Sequence, residues 1–259
     1  MSLDYEVNEK IATITLNRPQ RRNAFTLDML ESWADALEEA ERDDDVRVLV
    51  VVGAGEHFCS GVDLDQLTGV EPTPIERRRL LTDHVHRVVR GLARLDKPVI
   101  AALRGHAVGA GLDLALMCDL RFAGTSARLA EGYIRIGLVP GAGGCYLLPR
   151  LVGVAKALEL LLSGDPVTAD EALRIGLVNR VYDDESLIEE TYDFAARVAA
   201  APPVATQLIK RATYQSAGSD LATSLDLVSS HMAVVMSMED TATALAAFRN
   251  GSQAEYHGR

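Results

Sequence analysis

The stretch from Arg104 to Ala123, RGHAVGAGLDLALMCDLRFA, has a glycine-rich turn at its centre. The apolar segment VIAAL precedes the turn, a short leucine-rich run follows it, and the strand-like LRFAG comes next. The first turn of a helix leaves backbone N–H groups without carbonyl partners, and these groups carry partial positive charge. The stretch therefore predicts strand, turn, short helix and strand, with a negative group held at the turn.

The glycine spacing excludes the common phosphate-binding motifs. Gly105, Gly109 and Gly111 form G-x-x-x-G-x-G instead of the dinucleotide pattern G-x-G-x-x-G, and no Lys-Ser/Thr pair of a P-loop follows. Small residues at the turn would let a substrate carbonyl approach the backbone. We therefore interpret the turn as an oxyanion site, in which N–H groups stabilise a charge that develops during a reaction.

Composition excludes several classes of function. The chain has 259 residues and a formal net charge of −11, and it lacks the basic stripe that nucleic-acid binding requires. Cys59, Cys118 and Cys145 have no metal-ligand spacing, which indicates reduced thiols and no metal. The N-terminus lacks the features of a secretion signal, and no uncharged apolar run approaches the ~20 residues of a membrane span. We expect a cytoplasmic protein without nucleic-acid or membrane partners.

The order of strand-like and helix-like segments predicts an α/β core. Leu3 to Leu16 reads as two strands around a polar turn, and a helix capped by Thr26 follows. VRVLVVVGA, from Val46 to Ala54, is a continuous β-branched run typical of a strand covered on both faces. An irregular loop from Glu56 to Pro74 and an amphipathic helix through Leu81 and Leu92 complete this half.

The second half is predicted to be mostly helical. Thr168 and Glu171 have the spacing of a capping box, and the segment AAAPPVA, residues 199–205, is the best candidate for a boundary. We therefore expect an α/β core over residues 1–200 and a helical region over residues 201–259, with a last helix from Met238 to Arg249.

Several motifs together resemble one enzyme family. LNRPQRRNAF (16–25), HFCSGVDL (57–64), GHAVGAGLDLALMCDLRFA (105–123), IGLVPGAGGCYLLPRLVG (136–153) and SMEDTATALAAFRNG (237–251) occur in this order. Each is weak alone, but in register they resemble the crotonase, or enoyl-CoA hydratase/isomerase, superfamily across essentially the whole chain. The resemblance implies a crotonase-like spiral of ββα units with a C-terminal helical trimerisation region. It also implies a homotrimer or a dimer of trimers.

The resemblance implies an acyl-CoA thioester substrate and an enolate-like intermediate. By motif position, its oxygen would be held by the backbone N–H groups of Val62 and Ala110. No cofactor is expected beyond the CoA moiety of the substrate, and no metal. The residues that match the CoA-contacting segments are Arg22, Ala24, Ser60, Gly61, Asp63, Leu64, Gly109 and Pro140.

The chain departs from the hydratases at both of their catalytic glutamates. Asp113 occupies one position and Tyr133 the other, and Gly141 stands where dienoyl-CoA isomerases of the family have an Asp. Asp113 keeps a carboxylate that can act as a base, whereas a tyrosine with a pKa near 10 acts as a donor or orienting group at neutral pH. If RLAEGYI is extended, Glu131 shares a face with Tyr133 and reaches the same pocket.

The leading hypothesis is therefore hydration or double-bond isomerisation of an enoyl-CoA, with Asp113 moving the proton and Tyr133, together with Glu131, orienting the substrate. Isomerisation tolerates the missing glutamates better, because one base can shuttle a proton without holding a water molecule. One alternative is hydrolytic C–C cleavage or decarboxylation of a β-oxo or malonyl-type thioester. Another is a family member that binds acyl-CoA without turnover.

Overall fold

The computed structural model describes residues 2–66 and 73–259. Its largest sheet has six strands in the order β1-β2-β3-β4-β6-β9, in which β1 and β2 form an antiparallel hairpin and all other neighbours are parallel. These strands are β1 Leu3–Asn8, β2 Ile11–Leu16, β3 Val48–Gly53, β4 Val99–Leu103, β6 Leu120–Gly124 and β9 Arg180–Tyr182.

A second, smaller sheet lies beside the first and gives the fold its spiral. It contains β5 His106–Val108, β7 Arg128–Ala130 and β8 Val167–Thr168, in the order β5-β7-β8. After β4 and again after β6, the chain adds a short strand to this sheet and then forms a helical turn. The resulting strand–strand–helix units match the ββα spiral expected from the sequence, and β5 and β7 run parallel.

The helices surround the main sheet. They are α1 Leu27–Arg42, α2 Pro74–Leu80, α3 His86–Arg94, α4 Ala110–Leu116, α5 Gly144–Val152, α6 Val154–Ser163, α7 Ala169–Arg174, α8 Leu187–Ala199, α9 Pro203–Ser216, α10 Leu221–Met236 and α11 Glu239–Asn250. Helix α8 packs against β3, β4 and β6, whereas α1 packs against α3. The sheet is therefore covered on both faces, as a parallel sheet requires.

Strand β3 confirms the interpretation of the β-branched run. Leu49 and Val51 belong to the larger apolar core, whereas Val48 and Val50 belong to the core beneath α8. All four side chains are buried. Because successive residues of a strand point to opposite faces, a run without polar residues is what a doubly covered strand needs.

Of the two helix caps predicted from the sequence, at Thr26 and Thr168, the structure confirms the first fully and the second in part. The Thr26 hydroxyl accepts a hydrogen bond from Met29 N, which confirms the cap of α1. The Thr168 hydroxyl likewise accepts from Glu171 N at 3.3 Å, but the Glu171 carboxylate pairs with Arg174 and Lys156. Those cations compete for the carboxylate, so the described contacts include only one half of the predicted capping box.

The predicted helix through Leu81 and Leu92 is confirmed, with a π-helical stretch at Leu81–Val85 that joins α2 to α3. The helical region predicted over residues 201–259 ends earlier than expected. The last nine residues follow α11 without helical structure, and the Asp240 carboxylate accepts hydrogen bonds from His257 N and Gly258 N. The loop predicted over residues 56–74 lies partly outside the described residues, at 67–72.

The chain leaves the core after α8, and α9 begins at Pro203, inside the predicted boundary segment. Lys210 Nζ and the Tyr214 hydroxyl tie α9 to Asp119 at 2.8 Å each. Neither α9 nor α10 has a buried residue. The division into two regions at residue 200 stays a prediction.

Within the described part of the chain, no single helix is long and apolar enough to span a membrane; α10 and α11 satisfy that test only as a pair, bent by 78°.

Candidate active site

Two distant segments meet beside the glycine turn. Cys59 N donates to His106 O at 3.0 Å, and Val108 N donates to Cys59 O at 2.9 Å. A β-carbon on Gly111 would overlap the carbonyl oxygen of Cys59 and lie 2.9 Å from its carbonyl carbon. Only a residue without a side chain lets α4 approach the Cys59 segment this closely. The glycine turn therefore joins two loops in addition to starting a helix.

This contact brings the Val62 and Ala110 backbones together. Phe25 N donates to Gly61 O, and Asp63 N donates to Phe25 O, each at 2.9 Å. Because extended backbone alternates direction, the N–H of Val62 points away from Phe25. A β-carbon on Gly61 would lie 3.4 Å from Ala110 N. Within residues 2–66 and 73–259, neither the Val62 N–H nor the Ala110 N–H makes a hydrogen bond.

Both residues line an apolar cavity of about 270 Å³. Its walls come from the segment before α1, the loop that contains Val62, α2, the π-helical stretch, α4, the 3-10 helix that contains Tyr133 and the loop before α5. The described lining residues are Phe25, Val62, Glu76, Arg77, Leu80, Leu81, Val85, Ala110, Tyr133, Leu138, Val139, Gly141 and Ala142. A concave, mostly apolar site with a few polar groups is typical of a small-molecule pocket.

Asp113 lies behind this cavity on α4, fully buried. Its Oδ2 accepts hydrogen bonds from the Tyr133 hydroxyl at 2.6 Å and from Ala142 N at 2.9 Å. Asp113 is absent from the described cavity wall, whereas Tyr133 and Ala142 belong to it. Tyr133 therefore stands between Asp113 and the cavity.

Glu131 is buried beside Asp113, but by a route that differs from the sequence expectation. Strand β7 ends at Ala130, and Gly132–Ile136 form a 3-10 helix, so RLAEGYI is not extended and the predicted shared face is wrong. Glu131 instead points toward Gly144 at the start of α5. A β-carbon on Gly144 would lie 3.0 Å from Glu131 Oε1 and would overlap Asp113 Oδ1. The two carboxyl groups thus occupy the space that a side chain would fill.

The pKa values at this site are displaced upward. Burial raises the pKa of Asp113, and its hydrogen bonds to Tyr133 and Ala142 oppose that rise. Burial, and then the charge of Asp113, raise the pKa of Glu131 to about 9. Burial and Asp113 also raise the pKa of Tyr133. At neutral pH the Tyr133 phenol is protonated, and the carboxyl pair retains a proton that isolated carboxyls would release.

Among the predicted CoA contacts, Asp63 is the one whose carboxylate already forms ion pairs with arginine side chains of the protein. It is buried and accepts from Arg18 at 2.9 Å, and Arg21 lies 3.5 Å from it. The Arg18 hydrogen bond holds the pKa of Asp63 below its usual value. Asp63 thus anchors the Arg18–Ala24 turn to the loop that contains Val62. A role in contacting CoA stays a prediction.

The structure places the remaining predicted CoA contacts around the same loops. Ser60 N donates to Arg22 O at 3.0 Å, so the two segments lie side by side. Arg22 and Leu64 are exposed, Ala24 and Gly61 are buried, and Pro140 is half-buried. A β-carbon on Gly109 would lie 3.8 Å from the Tyr133 ring. Their roles stay predictions. No set of His, Cys, Asp or Glu side chains in the described structure has the arrangement of a metal site.

Comparison with known proteins decides the family. The model of the family described as enoyl-CoA hydratase/isomerase matches residues 6–259. The chain belongs to the enoyl-CoA hydratase/isomerase family, within the crotonase superfamily. It is therefore an enzyme of the hydratase/isomerase type, and its mixed α/β architecture with a C-terminal helical region is the crotonase fold.

Individual relatives of this hydratase/isomerase differ in their reactions. The chain is 36% identical to 1,2-epoxyphenylacetyl-CoA isomerase of Escherichia coli, over 98% of this chain and 97% of that protein. It is 37% identical to short-chain-enoyl-CoA hydratase of Clostridium acetobutylicum, over 94% and 92%. The crystal structure of enoyl-CoA hydratase from Bacillus anthracis has a TM-score of 0.96 and 32% identity, with both chains fully covered.

Sequence reasoning missed the partners that hold the acidic groups. Ala142 donates to Asp113, and Gly144 leaves the space for the carboxyl pair, yet in the sequence both are only letters of PGAGG. His86 has its Nε2 2.9 Å from Gly141 O in the cavity wall. The glycine-rich motif itself was a signal that other side chains converge there.

Proposed function

We propose that this enzyme isomerises the double bond of an enoyl-CoA thioester. The observation that carries the proposal is the convergence of two unpaired N–H groups, from Val62 and Ala110, on the cavity that Tyr133 also lines. The thioester oxygen accepts from both N–H groups, which stabilise the enolate as its charge develops. Asp113, hydrogen-bonded to Tyr133 at 2.6 Å, is the base that moves the proton.

Isomerisation is favoured over hydration by what the cavity wall contains. Asp113 and Glu131 are 0% and 1% exposed, and neither is among the described lining residues. Hydration in this family uses two glutamates that hold a water molecule, and this chain has Asp113 and Tyr133 at their positions. Moving one proton between two carbons needs only one acid/base group at the acyl chain, and Tyr133, which lines the cavity, connects Asp113 to it through a hydrogen bond.

The acyl group is apolar. The wall around the proposed thioester position consists of Phe25, Leu81, Val85, Leu138 and other apolar groups, with Glu76 and Arg77 among the lining residues of α2. The similarity to a short-chain-enoyl-CoA hydratase and to a 1,2-epoxyphenylacetyl-CoA isomerase supports both aliphatic and aromatic acyl groups as substrates. The CoA moiety lies along the Arg22–Ala24 and Ser60–Leu64 segments, outside the acyl cavity.

The functional enzyme is a homo-oligomer, a trimer or a dimer of trimers. Helix α10 has an apolar stripe at helical spacing, and its members are exposed by 38–74% in the single chain. This apolar stripe consists of Leu221, Leu225, Val228, Met232 and Met236. A contiguous exposed apolar face on a folded protein is typical of an association surface.

The reaction is tested with a 3-enoyl-CoA, whose double bond is not conjugated with the thioester. The wild-type enzyme is expected to convert it to the 2-enoyl-CoA, seen as a rise in conjugated-thioester absorbance. Asp113→Asn removes the base and is expected to lower kcat by about 10²–10⁴-fold.

Glu185→Gln is the matched control, since Glu185 is an exposed carboxylate remote from the cavity lining, and its rate is expected to equal that of the wild type. Loss of crotonyl-CoA absorbance by hydration, without conversion of the 3-enoyl-CoA, would overturn the proposal in favour of a hydratase. Cleavage of a malonyl-type thioester would overturn it in favour of a C–C-cleaving or decarboxylating enzyme. Binding of acyl-CoA without any product would overturn it in favour of a non-catalytic binding protein.

A further inference from the structure

We infer that Asp113 and Glu131 share one proton, and that Tyr133 conducts protons between this pair and the acyl group. The shared proton stands on the geometry alone, whereas conduction to the acyl group rests on the proposed function. Glu131 acts through Asp113 and is a positioning residue. Tyr133 is the group that meets the substrate.

The shared proton follows from unpartnered buried oxygens. Asp113 Oδ1, Glu131 Oε1 and Glu131 Oε2 are buried and have no hydrogen-bond partner among the described residues. All three surround the position that a β-carbon on Gly144 would take. Two ionised carboxylates in this buried space would repel each other, because no solvent lies between them to screen their charges. A proton held by Glu131 makes it a donor to Asp113 and removes that repulsion.

The groups that face the pair contribute no positive charge. Asp113 comes from α4, Glu131 lies just before the 3-10 helix Gly132–Ile136, Tyr133 lies in that helix, and Cys145 comes from α5. Across the described residues, neither carboxyl group takes part in an ion pair with Lys, Arg or His. Partial desolvation, and then the charges of Asp113 and Glu131, raise the pKa of the Cys145 thiol, so this exposed residue adds no charge of its own at neutral pH. Among the described residues, no cation is placed to neutralise the second carboxylate, so a proton takes that part.

Proton conduction follows from the position of Tyr133. Its ring lies against Gly109, the residue before the proposed donor Ala110. Its hydroxyl donates to Asp113 at 2.6 Å, while Asp113 itself is fully buried behind the wall. A proton that leaves the acyl chain for Asp113 therefore passes through the Tyr133 oxygen.

The step is balanced. The C–H bond at one end of the allylic system breaks, and its proton goes to Tyr133 Oη as the Tyr133 O–H proton goes to Asp113 Oδ2. The electron pair of the C–H bond enters the thioester enolate, which the two backbone N–H groups stabilise. In the return step, Asp113 reprotonates Tyr133 as the Tyr133 proton passes to the carbon at the other end. The enzyme ends in its starting state.

The shared proton is tested by infrared spectroscopy, without any substrate. The wild-type enzyme is expected to show the C=O stretch of a protonated carboxyl group at neutral pH, and the band is expected to vanish as the pH rises through about 9. Glu131→Gln is expected to lack it, and Glu185→Gln to keep it. Absence of the band from the wild-type enzyme would overturn the shared proton.

Conduction is tested by Tyr133→Phe, which removes only the hydroxyl group. We expect kcat for isomerisation to fall by about 10²-fold while KM stays within a few-fold, since the ring that lines the cavity remains. Tyr146→Phe, at an exposed tyrosine on α5, is the control. An unchanged kcat in Tyr133→Phe would overturn conduction. A wild-type enzyme that shows the infrared band but converts no enoyl-CoA would overturn the proposed function and leave the shared proton standing.

Discussion

Asp113 and Glu131 are buried side by side, with 0% and 1% of their surfaces exposed, and only one of their four oxygens accepts hydrogen bonds from described residues. Burial of a carboxylate is costly unless it is paired. The pair therefore destabilises the folded state at any pH at which both carboxyl groups would be ionised in water. Such a cost is expected at a site that needs a proton donor and a proton acceptor in one place.

Glu131→Gln is expected to stabilise the protein, and more so as pH rises. Because the pKa of Glu131 is raised to about 9 in the folded state, the folded chain holds a proton that the unfolded chain releases above about pH 4.3. The free energy of unfolding thus falls as pH increases between these values. We expect the variant to gain on the order of 1–3 kcal/mol at pH 8, or roughly 3–8 °C in Tm, measured by calorimetry.

At pH 5 the difference in Tm between Glu131→Gln and the wild type is expected to be small. Glu185→Gln is the reference for removal of an exposed carboxylate, and its Tm difference is expected to be near zero at both pH values. A Tm difference for Glu131→Gln that does not change with pH would contradict the raised pKa.

The sequence identified Asp113 and Tyr133 as the departures from the hydratase pattern, and the structure brings them into hydrogen-bond contact. The sequence also predicts Glu131 as a partner, but on the basis of an extended backbone, which is wrong. The side chain still reaches the site because Gly132 begins a 3-10 turn and Gly144 leaves room. That room depends on how α5 packs, which local sequence does not encode.

At the scale of secondary structure, α4 determines the geometry of the proposed oxyanion site. All seven residues of α4 are buried, and its start lies against the backbone of Cys59. The helix is too short to be stable alone, so its position depends on this close contact. The distance between the Val62 and Ala110 N–H groups therefore depends on residue 111 having no side chain.

Gly111→Ala is expected to impair both folding and activity. Its β-carbon would overlap the Cys59 carbonyl, which forces α4 away from the Val62 loop. Overpacking of this kind costs about 1–3 kcal/mol, and loss of one oxyanion donor lowers kcat by about 10²–10³-fold. Activity is measured at a temperature where circular dichroism shows the variant to be folded.

Gly218→Ala is the control for this substitution, because the nearest atom to its β-carbon is the Gln215 carbonyl oxygen at 4.0 Å. It is expected to match the wild type in kcat. A folded Gly111→Ala enzyme with wild-type kcat would show that the spacing of the two loops does not control the rate.

At the scale of the whole molecule, the C-terminal helices differ from the rest. The core around the main sheet buries large side chains on both faces, whereas α9 and α10 bury none. The apolar stripe of α10 exposes surface whose removal from water contributes about 25 cal/mol per Å². In a single chain the apolar stripe stays in contact with water, so this stabilisation is gained only on association.

The protein is expected to elute as an oligomer of three or six 28.0 kDa chains, measured by size-exclusion chromatography with light scattering. Leu225→Asp places a charge in the middle of the apolar stripe and is expected to shift the distribution toward smaller species. Val7→Asp, at an exposed position of the first hairpin, is expected to leave the mass unchanged. A wild-type mass of one chain would contradict assembly through this surface.

The sequence by itself determined the family, the fold class and most of the element order. Thr26 predicted the start of α1, the β-branched run predicted a strand covered on both faces, and the motifs in register predicted the crotonase fold. These signals are short-range or recur in a fixed order, so they can be read along one chain.

Only the tertiary structure decided which acidic groups meet and which group faces the cavity. Asp113, Glu131 and Gly144 come from three separate elements, and Tyr133 covers Asp113 from the cavity side. The π-helical stretch at Leu81–Val85 and the single hydrogen bond of the Thr168 cap were also decided by the tertiary structure. Each depends on packing between residues far apart in the chain, because side-chain direction and burial are set by the neighbours that the fold supplies.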